Sequence, residues 1–567
     1  MQEEQIKEWQ GSGENFCQQG NFAMMRACGS ELLEFPEAVA EGYALIAEAS
    51  VYLQDMTRAK EALEKMTLAE EQCGPCLRGR LAQGLYYGSN YHLQQALSAY
   101  EAFVAGCEKS PAQVPQSMRL RGYSFLADLS VLCGYVERGV ELTQSISREL
   151  SGAAQSQFYS KALFLKNFRP WNLAEAKAEH EIYGQRLLAQ LGQEATPKQK
   201  IQLREEARPL RIGYISPDFR RHALGYFLAP LLQLSPEDFE IYVYFLGQED
   251  QATKKFQKLA TVWRGVQQLS PEEIAHIIAQ DKIDILVDLA GHSNQQVLPV
   301  LARKPAPIQI SGLGYINTTG LSTVDYFLSD SYAMTPAGAE AFGEKILYFP
   351  ECHLCYAPEF IRPKLSQSQR ARQKHTGVVL GCFNNYDKIT DEMLGLWQQI
   401  LAQLPEGKLL LKNKLCSLPE GQNLIRQRCS EAGILPEQLV FLPFTAKYLP
   451  DYRQVDIALD TAPYNGGLTT CDALYMGVPV VSLAGNSHGS RYGVTILHNA
   501  GLGDLVANTP EEYVAKVVDL ALDAPRRAKL HGTLVASLPQ SPLMNIFGYN
   551  QALEKIFKKI WKNACQK

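Results

Sequence analysis

A run of small and hydroxyl-bearing residues between Leu459 and Pro479 has the composition of a ligand-binding loop. It reads LDTAPYNGGLTTCDALYMGVP, which predicts a strand, a glycine loop, a short helix and a second strand. The glycines allow the backbone to approach a ligand closely. Thr469 and Thr470 fall at the helix start, where free N–H groups and the helix dipole favour an anion such as a diphosphate. Asp472, one turn later, could accept hydrogen bonds from ribose hydroxyls. A capped helix after a tight turn is the alternative interpretation.

Three more side chains with useful chemistry follow predicted strands. Lys388 lies in GCFNNYDKI, His222 in SPDFRRHALG and His292 in DLAGHS. Open α/β sheets bind ligands at the carboxyl ends of their strands. A lysine there could neutralise a diphosphate leaving group, and histidine suits acid–base work near neutral pH. Taken singly, a lysine of this kind is more often a solvated surface charge, and either histidine is more often a structural hydrogen-bonding group.

The elements that must position these residues alternate between strand and helix, a pattern that favours parallel sheets covered by helices. Two such runs predict two Rossmann-like domains, at residues 209–365 and 375–535, separated by the segment near Pro358–Lys374. An amphipathic helix at 541–563 ends the chain. Helices are expected near Phe227–Leu234 and at Pro271–Gln280. The predicted strands are Leu210–Ser216, Phe239–Phe245, Ile283–Leu289, Val378–Phe383, Lys408–Leu411, Leu439–Leu442, Val455–Leu459 and Val478–Leu483.

Residues 1–200 are predicted to be helical, with apolar residues at helical spacing. A degenerate internal repeat resembles a tetratricopeptide hairpin, in which small and aromatic residues recur at fixed offsets. An irregular helical bundle is the alternative. A charged segment, 193–208, separates this block from the α/β region. The repeat positions are Ala47, Ala59 and Leu63, then Gly84, Tyr87, Ala96 and Tyr100, then Ala127, Gly139 and Thr143.

The composition excludes several classes of protein. The chain has 567 residues, of which 46% are hydrophobic and 20% charged, so it can bury several cores. With 55 Lys and Arg against 60 Asp and Glu, it lacks the basic excess of a nucleic-acid-coating protein. Without an apolar leader or a membrane span, we expect a cytoplasmic protein with reduced thiols. Cys73 and Cys76 have the spacing of a redox pair, and Cys352-His353-Leu354-Cys355 that of half a metal site, but both lack the expected surroundings.

Taken together, these segments resemble the catalytic region of the protein O-linked N-acetylglucosamine transferases and their SPINDLY relatives, glycosyltransferase family 41. The resemblance runs from about Leu210 to Trp561, is closest to the SPINDLY-like branch, and indicates a bacterial-type member. The motifs that carry it are Lys304-Pro305-Ala306-Pro307-Ile308-Gln309, Leu313-Gly314-Tyr315, Asn317-Thr318-Thr319-Gly320-Leu321, Val324-Asp325-Tyr326, Val455 to Thr461, and Ser490-Arg491 with Gly493.

The resemblance implies a GT-B architecture preceded by tetratricopeptide-like helices, and metal-independent, inverting transfer of a sugar from a nucleotide donor to a protein hydroxyl. It also implies roles for particular residues. Lys388 would contact the donor diphosphate, and Asn385 would lie near the nucleotide. The helix start from Gly467 to Thr470 would bind phosphate, and Asp472 would bind the ribose. His222 would face the sugar and acceptor as a candidate base, and His292 would lie in the same cleft.

Two positions depart from the family pattern. Leu468 stands where relatives usually have a hydroxyl-bearing residue, so one contact to phosphate would come from backbone only. Tyr448 stands where many relatives have a histidine that stacks on the base. Because Lys388 is retained, we expect an active enzyme that uses UDP-N-acetylglucosamine and no cofactor. The protein acceptor would be bound partly by the helical block. Transfer of fucose from GDP-fucose, transfer of glucose, transfer to another acceptor such as asparagine or a small glycan, and a non-catalytic nucleotide-binding scaffold remain as alternatives.

Overall fold

The computed structural model describes residues 2–192, 208–371 and 377–566. The charged segment predicted to separate the helical block lies outside these residues, apart from Arg208. The chain divides into two compact units, the first comprising residues up to Glu149 with Ser417–Ile425, and the second comprising Leu150–Cys416 and Arg426–Lys567.

The first unit is built from helices that pair as hairpins. The predicted repeat positions lie where the helices of a hairpin meet, and all are buried except Tyr87, which is partly exposed. Gly84 shows why a small residue is needed there, because a Cβ at this position would lie 2.4 Å from the ring of Tyr100 on the next helix. The helices are α1 (Gln2–Gln18), α2 (Phe22–Leu32), α3 (Val39–Tyr52), α4 (Met56–Cys73), α5 (Leu77–Ser89), α6 (Leu93–Lys109), α7 (Gln116–Leu132) and α8 (Val136–Glu149).

The second unit contains two fully parallel sheets, as the alternating pattern predicted. The first has seven strands in the order β3-β2-β1-β4-β5-β6-β7, and the second has six in the order β10-β9-β8-β11-β12-β13. The strands are β1 (Leu210–Ser216), β2 (Phe239–Phe245), β3 (Val262–Gly265), β4 (Ile285–Asp288), β5 (Ile308–Ser311), β6 (Tyr326–Asp330), β7 (Lys345–Phe349), β8 (Val379–Cys382), β9 (Lys408–Asn413), β10 (Leu439–Pro443), β11 (Ile457–Leu459), β12 (Val480–Leu483) and β13 (Val506–Ala507).

Helices cover the strands of both sheets. The helix expected near Phe227–Leu234 is a single turn, because Pro230 interrupts it and a 3-10 turn follows. The helices are α9 (Gly152–Lys166), α10 (Leu173–Leu191), α11 (Gly225–Leu228), α12 (Thr253–Gln257), α13 (Pro271–Gln280), α14 (Val297–Ala302), α15 (Pro336–Glu340), α16 (Pro358–Ile361), α17 (Gln367–Arg370), α18 (Asp391–Ala402), α19 (Pro419–Glu431), α20 (Leu468–Tyr475), α21 (Tyr492–Asn499), α22 (Pro510–Leu522), α23 (Ala524–Ser537) and α24 (Ile546–Cys565).

Helices α9 and α10 belong to the second unit, so the helical block expected over residues 1–200 divides near residue 150. The physical reason is a shared apolar core. Leu163, Tyr183 and Leu187 pack with residues of the first sheet and its helices, including Ile215 and Leu301. These two helices are therefore part of the layer that supports the first sheet.

The closest approach of α10 to the first α/β domain is at Gly184. A Cβ there would lie 1.9 Å from the backbone oxygen of Gly320, which cannot swing away. We therefore expect Gly184→Ala to destabilise the second unit by about 1–3 kcal/mol. Gly395→Ala on α18 is the matched control, since its Cβ meets nothing within 4 Å and alanine favours helix. Thermal unfolding of both variants measures the difference, and equal midpoints would contradict the expectation.

Helix α24 returns from the second α/β domain to the first. The Lys558 ammonium lies 2.7 Å from Asp238, and Glu554 accepts a hydrogen bond from the backbone of Ser235. The Phe557 ring packs against Phe239 at the start of β2. The C-terminal helix was predicted at 541–563, and α24 occupies Ile546–Cys565 and ties the end of the chain to the first sheet.

Candidate donor site between the two sheets

The glycine loop that follows β11 is held by a buried carboxylate. Asp460 Oδ1 accepts hydrogen bonds from the backbone N–H groups of Gly466 (2.7 Å) and Thr461 (2.9 Å), and Ser482 donates to Oδ2 at 2.6 Å. Burial raises the pKa of Asp460 to about 6. At Gly493, a Cβ would lie 1.9 Å from the Ser482 hydroxyl, so this glycine leaves room for the arrangement. The Asp460 carboxylate thus fixes the shape of the loop.

Helix α20 begins directly after this loop, with Gly467 at its N-cap and no side chain capping it. The Thr470 hydroxyl donates to Gly466 O at 3.0 Å, and the Thr469 hydroxyl donates to Asn384 at 2.5 Å. Leu468, partly exposed, occupies the first helical position. The first N–H groups of any helix lack intrahelical partners. The start of α20 therefore presents backbone donors to an anion, while both threonine hydroxyls shape the turn.

The Lys388 ammonium lies against the same loop. It belongs to a short 3-10 helix, Tyr386–Lys388, that follows β8. Its Nζ donates to Asn465 O at 3.0 Å and lies 3.8 Å from the centre of the Tyr464 ring. Burial lowers the pKa of Lys388, while the nearby carboxylates of Asp387 and Asp460 oppose that shift. The structure thus brings the predicted lysine and the predicted phosphate-binding helix start together.

Of the two asparagines after β8, Asn384 is buried and contacts α20, whereas Asn385 is exposed. Asn384 is buried, donates from its amide to Thr461 at 3.0 Å and accepts the hydrogen bond from Thr469. Asn385, which the family resemblance placed near the nucleotide, is exposed at the start of the 3-10 helix. Asn384 therefore couples β8 to α20, a role that sequence reasoning missed.

The Asp472 carboxylate on α20 is enclosed by three donors. Its Oδ1 accepts hydrogen bonds from the Tyr356 hydroxyl (2.5 Å) and from the Arg362 guanidinium, and its Oδ2 accepts one from the Tyr448 hydroxyl. The Asp472 side chain is 0% exposed. Burial beside Asp472 raises the pKa of Tyr448 far above its ordinary value, so the phenol stays protonated and donates. Tyr448 was expected to stack on a base, and here its hydroxyl binds the predicted ribose carboxylate.

His222 lies in the loop after β1, beside a carboxylate. Its Nδ1 is 3.2 Å from Asp218 Oδ1, and the backbone N–H of Leu224 approaches the same nitrogen at 3.4 Å. The imidazole is 43% exposed, whereas Asp218 is buried. Burial lowers the pKa of His222, and Asp218 opposes the shift. Asp218 is therefore placed to stabilise the imidazolium that forms when His222 takes a proton.

His292 occupies a different setting. It is 2% exposed, its Nδ1 lies 2.8 Å from the Ser160 hydroxyl, and its Nε2 lies 3.1 Å from Thr319 O. The ring packs against Tyr183 and His180 of α10. Since both ring nitrogens already have partners, this geometry favours a positioning role for His292 over the acid–base role expected for it.

The cysteine motifs are structural. Cys352 and Cys355 are buried, and His353 between them pairs with Asp330 at 2.5 Å. Among the described residues, no group of three or more histidine, cysteine and acidic side chains is arranged to hold a metal ion. The Cys76 thiol caps α5 by accepting from the backbone of Gly79. Within the same residues, no helix has the length and apolar character needed to span a bilayer.

Sequence reasoning also missed Asp218 and Arg362. Asp218 stands four residues before His222, and that carboxylate–histidine spacing was a usable signal. Arg362 gave no signal, because it lies in the polar segment between the two α/β domains. Only the fold brings that segment against α20, where Leu365 N donates to the Tyr475 hydroxyl at 3.3 Å.

Comparison with known proteins matches this chain to glycosyltransferases. The model of glycosyl transferase family 41 matches residues 188–377 and 358–553. The chain is 38% identical over 378 residues to the probable UDP-N-acetylglucosamine–peptide N-acetylglucosaminyltransferase SPINDLY of Arabidopsis thaliana, covering 64% of this chain and 41% of that protein. To the probable transferase SEC of the same plant it is 30% identical over 370 residues, covering 63% and 37%. The chain thus spans about two fifths of the length of these curated relatives.

A solved structure shares the whole architecture. A mutant of the O-GlcNAc transferase of Thermobaculum terrenum superposes with a TM-score of 0.79 at 27% identity. The match covers 94% of this chain and 99% of that one. The expected GT-B arrangement with preceding helices is confirmed.

Proposed function

The chain belongs to glycosyl transferase family 41, and from this premise we propose that it transfers N-acetylglucosamine from UDP-N-acetylglucosamine to serine or threonine hydroxyls of proteins. The names of its SPINDLY and SEC relatives and of the Thermobaculum enzyme support this donor and this class of acceptor. The observation that carries the proposal is the position of the Lys388 ammonium, 3.0 Å from Asn465 O on the loop that opens α20.

On the donor side, the reaction breaks the bond between the anomeric carbon and a diphosphate oxygen. Negative charge grows on the diphosphate as that bond lengthens. In the proposed mechanism, Lys388 and the backbone N–H groups at the start of α20 are the donors that stabilise this charge, and their closeness supports that role. Donors held in place before the reaction stabilise the transition state without reorganising. Since these groups supply the positive charge, the proposed mechanism needs no metal and no resident cofactor.

On the acceptor side, the hydroxyl attacks the anomeric carbon from the face opposite the leaving diphosphate, which inverts the configuration. The acceptor proton passes to the imidazole of His222. Asp218, 3.2 Å away, stabilises the resulting imidazolium. The new bond is between the acceptor oxygen and the anomeric carbon, and the electron pair of the broken bond leaves with the diphosphate.

We assign recognition of the protein acceptor in part to the helical first unit. A cavity of about 880 Å³ lies within that unit. Its lining is mixed, with Lys7, Arg80 and Lys109 beside Glu41 and apolar residues such as Met118. A cavity of this size and mixed lining has room for side chains of a peptide acceptor.

Ligand-dependent thermal unfolding tests the donor assignment. The panel is UDP, UDP-N-acetylglucosamine, GDP and GDP-fucose. A ligand at 100 times its Kd stabilises the folded protein by about 2.7 kcal/mol, so we expect the uridine nucleotides to raise the melting midpoint and the guanosine nucleotides to leave it unchanged. Transfer of N-acetylglucosamine to a protein acceptor is then followed by mass spectrometry. Stabilisation by guanosine nucleotides alone would overturn the assigned donor, and no response to any nucleotide would overturn the assigned class of reaction.

A further inference from the structure

The Lys388 ammonium is held by contacts on two sides. One is the hydrogen bond that its Nζ donates to Asn465 O at 3.0 Å. The other is with the ring of Tyr464, whose centre lies 3.8 Å from the same nitrogen, a distance at which an aromatic face attracts a cation. An ammonium has three N–H donors. The carbonyl and the ring therefore restrict where the ammonium can lie and leave a donor for a ligand.

The backbone that carries both contacts is itself fixed. Asn465 is buried, its amide donates to Thr461 O at 2.7 Å, and its side-chain oxygen accepts from the backbone N–H of Gly493 at 3.2 Å. The Thr461 hydroxyl donates to Tyr464 O at 2.8 Å. Residues 464 and 465 are thus tied to the segment after β11 and to α21, so the ring and the carbonyl are presented to Lys388 together.

The Tyr464 ring is also in contact with the end of α9. The centre of the Phe168 ring lies 4.9 Å from that of Tyr464, and Phe168 is buried and packs against Phe164 one turn earlier. The neighbouring Asn167 donates from its amide to the Tyr315 hydroxyl at 3.1 Å. The end of α9 is therefore bound to the first α/β domain through Asn167, and through Phe168 it reaches the glycine loop of the second.

We propose that Tyr464 and Phe168 are positioning residues, whose two rings hold the Lys388 ammonium where it stabilises the leaving diphosphate. The inference rests on the proposed function, since it takes Lys388 as the group that meets this charge. A donor that is already held in place does not have to reorganise as the charge develops. Helix α9, which precedes the first α/β domain, thereby takes part in the reaction through Phe168.

Replacement of the Tyr464 ring tests the proposal in single-turnover kinetics with saturating UDP-N-acetylglucosamine. Tyr464→Leu removes the aromatic face and keeps an apolar side chain. A cation over a ring is worth about 0.5–2 kcal/mol, so kcat should fall by about 2- to 30-fold. Tyr464→Phe keeps the ring and removes only the hydroxyl, and it should restore most of the rate. Phe168→Leu should lower kcat in the same direction, because it removes the ring that supports Tyr464.

A double-mutant cycle separates positioning from a general structural role. In a Lys388→Met background, Tyr464→Leu should have no further effect, because the ring acts only through the ammonium. A residue that merely keeps the loop folded would lower the rate by the same factor in both backgrounds. Phe441→Leu is the matched control, since it removes a partly exposed ring on β10 that lies 4.7 Å from the Arg426 guanidinium. It should keep the wild-type kcat.

The outcomes separate this inference from the function on which it rests. If Lys388→Met loses transfer while Tyr464→Leu or Phe168→Leu keeps the wild-type kcat, the positioning role is overturned and the proposed function stands. A Tyr464→Phe protein as slow as Tyr464→Leu, or equal losses in both backgrounds, would also overturn it. If Lys388→Met keeps its transfer rate, the role assigned to Lys388 fails, and the inference fails with it. Tyr464→Met is a second variant in case the leucine protein folds poorly, and the same losses are expected of it.

Discussion

Replacing Lys388 with methionine is expected to lower kcat by about 10²–10³, the loss seen when one fixed donor to a developing charge is removed. The Lys388 ammonium is 3.0 Å from the loop that opens α20, so it acts where the diphosphate departs. Methionine keeps the length of the side chain and its packing over the Tyr464 ring, which lies 3.8 Å from the ammonium. The variant should therefore fold normally and lose transfer rather than stability.

Single-turnover kinetics with saturating donor measure the effect on the chemical step. Lys408→Met is the matched control, since its ammonium also donates to a backbone oxygen, that of Glu437, at an exposed site on β9. The control should keep the wild-type rate. A Lys388→Met protein that retains a third of the wild-type kcat would rule out this lysine as the stabiliser of the leaving group.

The second large effect is expected at His222. Removing a general base costs about 10²–10⁴ in rate, so His222→Ala should lose at least 100-fold in kcat/KM. Because only the neutral imidazole accepts a proton, activity is present above the pKa of His222 and is lost as the pH falls through it. Burial lowers that pKa, so the acid limb of the pH–rate profile, where activity is lost as the pH falls, lies below the ordinary histidine value of 6.5.

The Asp218→Asn variant tests whether Asp218 acts through His222. Asp218 raises the pKa of His222, so its neutralisation moves the acid limb to lower pH while the rate on the plateau falls. A purely structural role for Asp218 would lower the rate and leave the limb in place. His276→Ala on the exposed face of α13 serves as the control. An acid limb that persists unchanged in His222→Ala would assign the base to another group.

The strands that the sequence predicted best are those with long apolar runs. Both β1 and β2 begin and end at the predicted residues, because in each strand of seven residues only the second, Arg211 or Glu240, is not buried. Short strands such as β13, with two residues, have no periodicity to detect. For the helical block, the prediction of helices was correct, but the extent of the block was not. Helices α9 and α10 are α-helices like α8, and their tertiary partners assign them to the second unit.

The residues of the candidate site also differ in how far the sequence revealed them. Lys388 and the start of α20 were found because glycines and a lysine after strands have a recognisable chemistry. Arg362 was not, since a lone arginine in a polar segment looks like any solvated charge until the fold buries it against Asp472. The Tyr448 contact was equally hidden, because its partner is 24 residues away on another element. His292 shows the opposite case, because its residue type suggested catalysis, whereas its ring is buried and both ring nitrogens have hydrogen-bonding partners.

The shared core of α9, α10 and the first sheet has a practical consequence. A shortened chain beginning near residue 209 would keep every strand yet lose Leu163, Tyr183 and Leu187 from that core. The surface left behind, around Ile215 and Leu301, would be a large apolar patch that promotes aggregation. The smallest fragment of this chain that keeps this core covered should therefore begin near residue 150, at the boundary between the two compact units.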